Sequence, residues 1–424
     1  MTRPITPKPN GDHWGFYQVG DLKTYSKIEA IDFQGRLKKP LVFKYNDEIF
    51  GRYDWKTDPP GNLKYWFKQR AEQLRNTYDY IVLLYSGGAD SFNILNSFVE
   101  NNIFLDEIAQ FTAMEGINAG KDDPANFEVF AYSAPMTQRL IQSNPLYSNT
   151  KHRIVDGAQY QVDHFLNSSM FDLWYKENSV IFSSWGRVMG GLKHYVPDYK
   201  RLVAQGKKVC LLWGWEKPAM SIDKNLNVYI HFADGPMQGV FTPAERTELD
   251  PNLPNDEAFY WTPDLPELLA KQAHSVKSFL TRALQHEPDG INLKLQEKKT
   301  SIDATQVFDP GKSPLQFTYH GRDLEISKEC FLRLIYPWYF PELVYDGGKP
   351  SSYFFSDKDN WLWNTNVPEL QSRIKLYSAG VLWLKNHVIQ NAPELWWERS
   401  TKLIKGKYQA GIAMSRKTYC IGNL

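Results

Sequence analysis

The sequence predicts an α/β protein: a doubly wound parallel sheet, preceded by a β-rich N-terminal extension and followed by an aromatic-rich, mainly helical C-terminal region. Three observations predict it. The first is the run Tyr80-Ile-Val-Leu-Leu-Tyr85, apolar or aromatic throughout and ended by Ser86-Gly87-Gly88, which is the pattern of a buried parallel strand. The second is the alternation after it. Strand patterns at Glu107–Thr112 and His152–Asp156 are separated by helical spacing, and strand–helix alternation implies a parallel sheet with right-handed crossovers. The third is composition. The chain has 424 residues, 15% of them aromatic and 14 of them Trp, enough for two or three domains with sizeable cores.

Residues 1–61 read as short strands and turns, a β-rich extension. Trp14–Val19 and Pro40–Lys44 are extended by composition, and Pro59-Pro60-Gly61 ends the segment. Residues 62–285 form the main α/β domain. Leu63 to Thr77 has helical spacing, with Trp66, Phe67, Ala71 and Leu74 apolar. Phe92, Leu95, Phe98 and Val99 share one helical face after the double glycine. Asn126 opens a helix running to about Gln142, and a helical stretch covers about Tyr160 to Lys176. Lys207–Trp213 is a further buried strand ending in a turn. Val228–Phe232 to Gln238 suggests an edge hairpin. A helix with Pro266 in its first turn runs to Leu284. Residues 286–327 are polar and punctuated by Gly and Pro, as in a linker or excursion. Residues 328–424 hold an aromatic-rich region with a helix at about Glu369–Gln390, a basic stretch at Arg399–Lys407 and a short strand at Lys417–Ile421.

The stretch that carries chemistry is Ser86-Gly87-Gly88-Ala89-Asp90-Ser91. It falls on a strand-to-helix turn, where free N–H groups and the positive helix end can hold an anion. Gly87 and Gly88 let the backbone approach phosphate with no Cβ in the way. Ser86 and Ser91 offer hydroxyls to phosphate oxygens. Asp90 would repel phosphate directly, so its natural partner is a bridging Mg²⁺. A Walker A loop would have four residues between its glycines and then Lys-Ser or Lys-Thr, and this sequence has neither.

The stretch resembles the PP-loop, Ser-Gly-Gly-x-Asp-Ser, of the N-type ATP pyrophosphatase superfamily, whose members include asparagine synthetase, GMP synthetase, NAD synthetase and the tRNA-lysidine enzymes. All six positions match, and the resemblance covers about residues 78 to 218. It implies a HUP-like fold of the adenine nucleotide alpha-hydrolase kind, with ATP and Mg²⁺ as cofactors. It also implies cleavage of ATP to AMP and pyrophosphate through an adenylated intermediate. On this resemblance Tyr85, Ser86, Gly87, Gly88, Ala89, Asp90 and Ser91 bind nucleotide, and adenine lies near Tyr85 and Thr112 to Met114. Asp90 is then also the metal ligand. Superfamily members often carry a second glycine loop after the fourth strand, and Gly214, Glu216 and Lys217 resemble it in position only; Lys217 would neutralise leaving pyrophosphate, with a solvated turn lysine as the alternative. Arg187, in the Gly- and Ser-rich stretch Phe182–Gly191, is a candidate for a phosphate or acyl-adenylate, with an ordinary surface arginine as the alternative. His274, on the mixed face of the Pro266 helix, is expected to be structural rather than catalytic.

Other features select among functions. Net charge is +1, so no overall field attracts nucleic acid. The N-terminus has no apolar signal core and no stretch approaches 18 apolar residues, so the expectation is a cytoplasmic protein with no membrane partner. The three cysteines, Cys210, Cys330 and Cys420, are far apart, which suggests a reducing compartment and no metal cluster. Glutamine-dependent relatives make ammonia with an N-terminal cysteine nucleophile. No cysteine precedes Cys210 here, so ammonia would come from outside. Sulfur-transfer members use reactive cysteines, whereas these thiols lie in apolar surroundings and read as inert. The expectation is therefore an AMP-forming amide or C–N ligase, nearest in kind to the synthetase domain of asparagine synthetase. It would join ammonia or an amine to a small-molecule acceptor. Two alternatives stand beside it: a nucleobase-modifying enzyme whose basic C-terminal stretch holds tRNA or DNA, and a non-catalytic nucleotide-binding module.

Overall fold

A computed structural model describes residues 3–5, 12, 14–114, 120–122, 124–160, 162, 192–214, 219–223, 225–234, 252–285, 294–297, 315–319, 322–326, 333–338, 366–398, 410–413 and 415–424. The chain starts with strands β1 (Phe16–Val19) and β2 (Leu22–Thr24), helix α1 (Lys27–Leu37), strand β3 (Leu41–Lys44) and the short helix α2 (Asp47–Phe50). β1 pairs with both other strands, all antiparallel. Helix α1 corrects the sequence expectation of strands and turns alone. Its start is a capping arrangement: the Ser26 side chain accepts the Glu29 N–H at 3.1 Å, which satisfies one of the orphan donors of the first turn. Ile28 and Ile31 then face the core.

The centre of the molecule is one five-stranded parallel sheet. Its strands are β4 (Tyr80–Leu84), β5 (Glu107–Thr112), β6 (Lys151–Asp156), β7 (Val209–Trp213) and β10 (Asn255–Ala258), in the order β10-β7-β4-β5-β6. Helix α3 (Leu63–Thr77) leads into β4, and α4 (Ala89–Val99) leaves it. The crossover from β5 to β6 runs through α5 (Pro124–Glu128), a π-helical turn at Val129–Ser133 and α6 (Ala134–Ser143). Helices α7 (Leu192–Tyr195) and α8 (Pro197–Ala204) precede β7. β4 is the middle strand. The chain moves outward from it through β5 to β6, then returns to its other side at β7. That reversal puts a topological switch point between the carboxyl ends of β4 and β7, where open α/β sheets bind ligands. This is a Rossmann-like, HUP-like arrangement.

β10 was not legible as a strand, because its Asn-Asp-Glu-Ala sequence is polar. Its acids are buried in pairs. Asp256 accepts from Lys193 Nζ at 2.6 Å and from Trp213 Nε1 at 2.8 Å. Glu257 accepts from Arg70 at 2.8 Å and from the Tyr78 hydroxyl at 2.5 Å.

A second sheet, β16-β9-β8, is antiparallel and contains β8 (Ala219–Ile222), β9 (Asn227–Ala233) and β16 (Arg416–Asn423). The Val228–Phe232 segment is thus a central strand with partners on both sides rather than an edge. Phe232 sits in an aromatic cluster with Phe50 (4.8 Å between centroids), Trp261 (5.4 Å) and Trp55 (5.6 Å), so the N-terminal residues share its core. A buried ion pair ties them further. Lys27 Nζ donates to Asp234 at 2.5 Å and to the Ala413 carbonyl at 2.6 Å, and the Tyr17 hydroxyl reaches Asp234 at 2.6 Å.

Helix α9 (Pro266–Gln285) packs on α3. Strands β11 (Lys294–Glu297), β12 (Leu315–Tyr319) and β13 (Arg322–Ile326) form a small antiparallel sheet within the polar stretch. In the C-terminal region α10 (Pro368–Asn391) packs on α1, and β14 (Trp396–Glu398) pairs with β15 (Ala410–Ile412). Among its described residues the region mixes a long helix with strands. No helix among the described residues is long and apolar enough to cross a membrane.

Candidate nucleotide site at the carboxyl end of the parallel sheet

Residues 85–88 connect β4 to α4, and Gly88 is the N-cap of that helix. Gly88 places no side chain on the first-turn N–H groups. A helix start without its own cap presents these donors to a ligand. Gly87 has φ +84°, a conformation that L side chains rarely adopt. A Cβ there would also stand 2.9 Å from the Ser133 Cβ. The π-helical turn thus presses Ser133 onto the loop, and such turns are frequent at functional sites. The Ser86 and Ser91 hydroxyls lie 3.2 Å apart. Ser86 Oγ accepts the Gly88 N–H at 3.3 Å, and Ser91 Oγ donates to the Gly88 carbonyl at 3.2 Å. Two hydroxyls and the start of a helix therefore converge on one small space.

Gly214, expected in a second loop, is in the same place. It follows β7 directly, and a Cβ on it would lie 3.2 Å from Ile94 Cδ1 and 3.4 Å from Ser91 N. The glycine thus allows the end of β7 to close onto the start of α4. Lys217, Glu216 and Arg187 lie outside the described residues.

Asp90 sits in the first turn of α4, half-buried. Its Oδ1 accepts the Tyr336 hydroxyl, and its backbone carbonyl accepts the Tyr260 hydroxyl at 2.7 Å. Asn93 Nδ2 donates to the Tyr260 oxygen at 3.1 Å. Burial, and then the Asp90 charge, push both phenols well up, so both stay protonated donors near neutral pH. Ser133, Tyr260, Tyr336 and Asn93 were not singled out by the sequence. Tyr260 and Tyr336 lie in aromatic runs that read as core, and no local pattern links either to a residue 170 or 246 positions away.

The predicted adenine side is more occupied than expected. The Tyr85 ring is buried, with its hydroxyl 3.7 Å from the Met136 sulfur, and its N–H bonds the Ala109 carbonyl at 2.8 Å. Thr112 is buried and its hydroxyl donates to the Val155 carbonyl at 3.4 Å. Asn126 brackets Ala113, taking its N–H at 2.7 Å and donating to its carbonyl at 3.2 Å. Asp156 Oδ1 takes the Met114 N–H at 3.0 Å. The backbone N–H groups of residues 113 and 114 are therefore committed to the protein itself, and a base beside them would rely on other groups.

His274 is buried, with Nε2 2.9 Å from the Trp55 carbonyl. Cys210 is fully buried in β7, and burial pushes its thiol well up. Cys420 is half-buried in β16, and Cys330 lies outside the described residues. Among the described residues no three His, Cys, Asp or Glu side chains come together as a metal cluster. The donor set at the loop nevertheless fits a phosphate-bound Mg²⁺, which usually takes one or two carboxylates and completes its shell with phosphates and water. Asp90 would be that carboxylate. Neither a scan against protein-family models nor a search of curated proteins finds a match to the chain.

Proposed function

We propose that the chain is an ATP-dependent, AMP-forming ligase of the PP-loop kind, which adenylates a small-molecule acceptor and transfers ammonia or an amine to it. The observation that carries this reading is the Ser-Gly-Gly-Ala-Asp-Ser turn at the carboxyl end of the central parallel strand, with Gly87 at φ +84° and the two serine hydroxyls 3.2 Å apart. The fold supplies the setting and the sequence of the turn supplies the chemistry. The first-turn N–H groups and the positive end of α4 would hold the β- and γ-phosphates as negative charge builds on them. The Ser86 and Ser91 hydroxyls would donate to the same oxygens. Asp90 would hold Mg²⁺, which when bound neutralises the departing pyrophosphate. Holding the pyrophosphate side leaves the α-phosphorus open to in-line attack by an acceptor oxygen. The buried Cys210 argues against a sulfur relay through that residue, since a thiol pushed up by burial gives little thiolate.

The test is the product pattern. The purified protein is incubated with Mg-ATP labelled at the α and γ phosphates, ammonium and a metabolite extract. AMP and pyrophosphate, formed by the wild type and absent with Asp90→Ala, are the expected result. ADP and phosphate as the products would overturn the reading.

A further inference from the structure

Tyr336 lies outside the loop, outside the parallel sheet and outside every segment expected to touch nucleotide, yet its hydroxyl donates to the Asp90 carboxylate. Its ring is 1% exposed and packs on Tyr260 with centroids 5.5 Å apart. Tyr260 in turn holds the Asp90 carbonyl at 2.7 Å. One first-turn residue of α4 is therefore fixed twice, main chain and side chain, by tyrosines from two distant segments.

The chemistry of the donor matters. A lysine or arginine on the carboxylate would orient it and cancel its charge. A phenol orients it without bringing a positive charge of its own. An ionised carboxylate has about four lone-pair sites, and the Tyr336 hydroxyl takes one of them. Buried aromatic packing also makes the hold stiff, because the Tyr336 ring cannot swing away without opening the contact with Tyr260.

We propose that Tyr336 is a positioning residue for the metal–nucleotide site. It holds the Asp90 carboxylate in the orientation that meets a divalent cation on the phosphates, and so makes residues 333–338 part of that site. This rests on the nucleotide reading above and adds to it a residue from the C-terminal part of the chain.

The experiment is a binding measurement on the full chain and needs no turnover. ATP binding is followed by equilibrium dialysis across a Mg²⁺ titration for the wild type, Tyr336→Phe and Tyr199→Phe. Tyr199 is a matched control: its hydroxyl also donates to a buried carboxylate, Glu107, at 2.8 Å, but at the opposite end of the sheet. Tyr336→Phe is expected to need about tenfold more Mg²⁺ for half-maximal binding, the effect of one lost hydrogen bond to a charged group. Its Mg²⁺-free ATP affinity should stay within about twofold, as should the Mg²⁺ midpoint of Tyr199→Phe. A wild-type Mg²⁺ midpoint in Tyr336→Phe would overturn the role of Tyr336 and leave the nucleotide site standing. Equal loss of binding at every Mg²⁺ concentration, with a melting temperature lowered as in Tyr199→Phe, would make the tyrosine merely structural and also overturn the proposal. Absence of ATP binding by the wild type at any Mg²⁺ concentration would overturn both readings together.

Discussion

The two ends of the parallel sheet each present a carboxylate to tyrosine hydroxyls, and they are built in opposite ways. At the amino end Glu107 is buried, and accepts from Arg153 at 2.5 Å, Tyr199 at 2.8 Å and Tyr80 at 2.8 Å. Arg153 continues to Asp198 at 2.7 Å, so charge answers charge. At the carboxyl end Asp90 is half-buried in a turn of glycine, alanine and serine, beside a helix start with no side-chain cap. Large side chains and a guanidinium close the first end. Small residues, hydroxyls and N–H groups shape the second. On the proposed function, the difference teaches that one sheet can separate stability from chemistry along its strands: the amino end holds the fold, and the carboxyl end keeps the donors an anion would need.

That contrast can be broken from either side. Asp90→Ala should lower stability by only about 1–2 kcal/mol, as the buried Tyr336 hydroxyl loses its acceptor, and cut AMP formation at least about a hundredfold if the carboxylate holds the metal; discontinuous assays of AMP by chromatography would show it. Glu107→Ala should do the reverse and destabilise the fold by about 2–4 kcal/mol, because the Tyr199 and Tyr80 hydroxyls lose their acceptor and Arg153 keeps only Asp198. Urea titration would show this, and an unchanged unfolding midpoint would contradict the division.

Gly87→Ala falls between the two. The left-handed backbone costs an alanine about 1–2 kcal/mol, and the new methyl meets Ser133. Stability should drop modestly, while ATP affinity drops by more than that penalty alone explains. Wild-type affinity in this variant would mean the loop is not the phosphate cradle.

A smaller effect concerns pH. His231 is buried between Ser221, 2.6 Å from Nε2, and Thr418, 2.9 Å from Nδ1. Burial, then Arg416, bring its pKa down to about 4. Unfolded, the ring titrates near 6.5, so between these values the unfolded chain binds the extra proton. Its contribution to stability is complete above the unfolded value and is lost as pH falls from about 6.5 towards 4. Urea midpoints should decline over that window, and His231→Gln should flatten the decline. The smallest expected effect is that of Cys420→Ser, which should change AMP formation by less than about twofold. A large loss there, measured with the same AMP assay, would revive sulfur chemistry.

Much of the fold was legible because its elements carry local patterns. The helix at Leu63–Thr77, the strand beginning at Tyr80 and the strand at Glu107–Thr112 follow from apolar periodicity, and the structure puts all three where that periodicity does. Helix α1 was missed although Ser26 and Glu29 stand at capping distance, because Lys27, Asp32 and Gly35 blur its apolar stripe. β10 was missed for a different reason: its inward side chains are acids, neutralised by Lys193 and Arg70 from elsewhere in the chain. A strand held by long-range ion pairs has no hydrophobic signature. The candidate site divides in the same way. Ser86 to Ser91 could be read because the turn is contiguous, and Gly214 because it ends a buried strand. Ser133 and Tyr336 could not, since what brings each to the loop is the packing of a distant segment.

The most direct test of the central claim is amide hydrogen exchange of the full chain with and without Mg-ATP. The account predicts slowed exchange in peptides covering residues 85–92 and around Gly214, and no change at the amino end around Glu107 and Arg153. Protection confined to other segments, or none at saturating nucleotide, would contradict it.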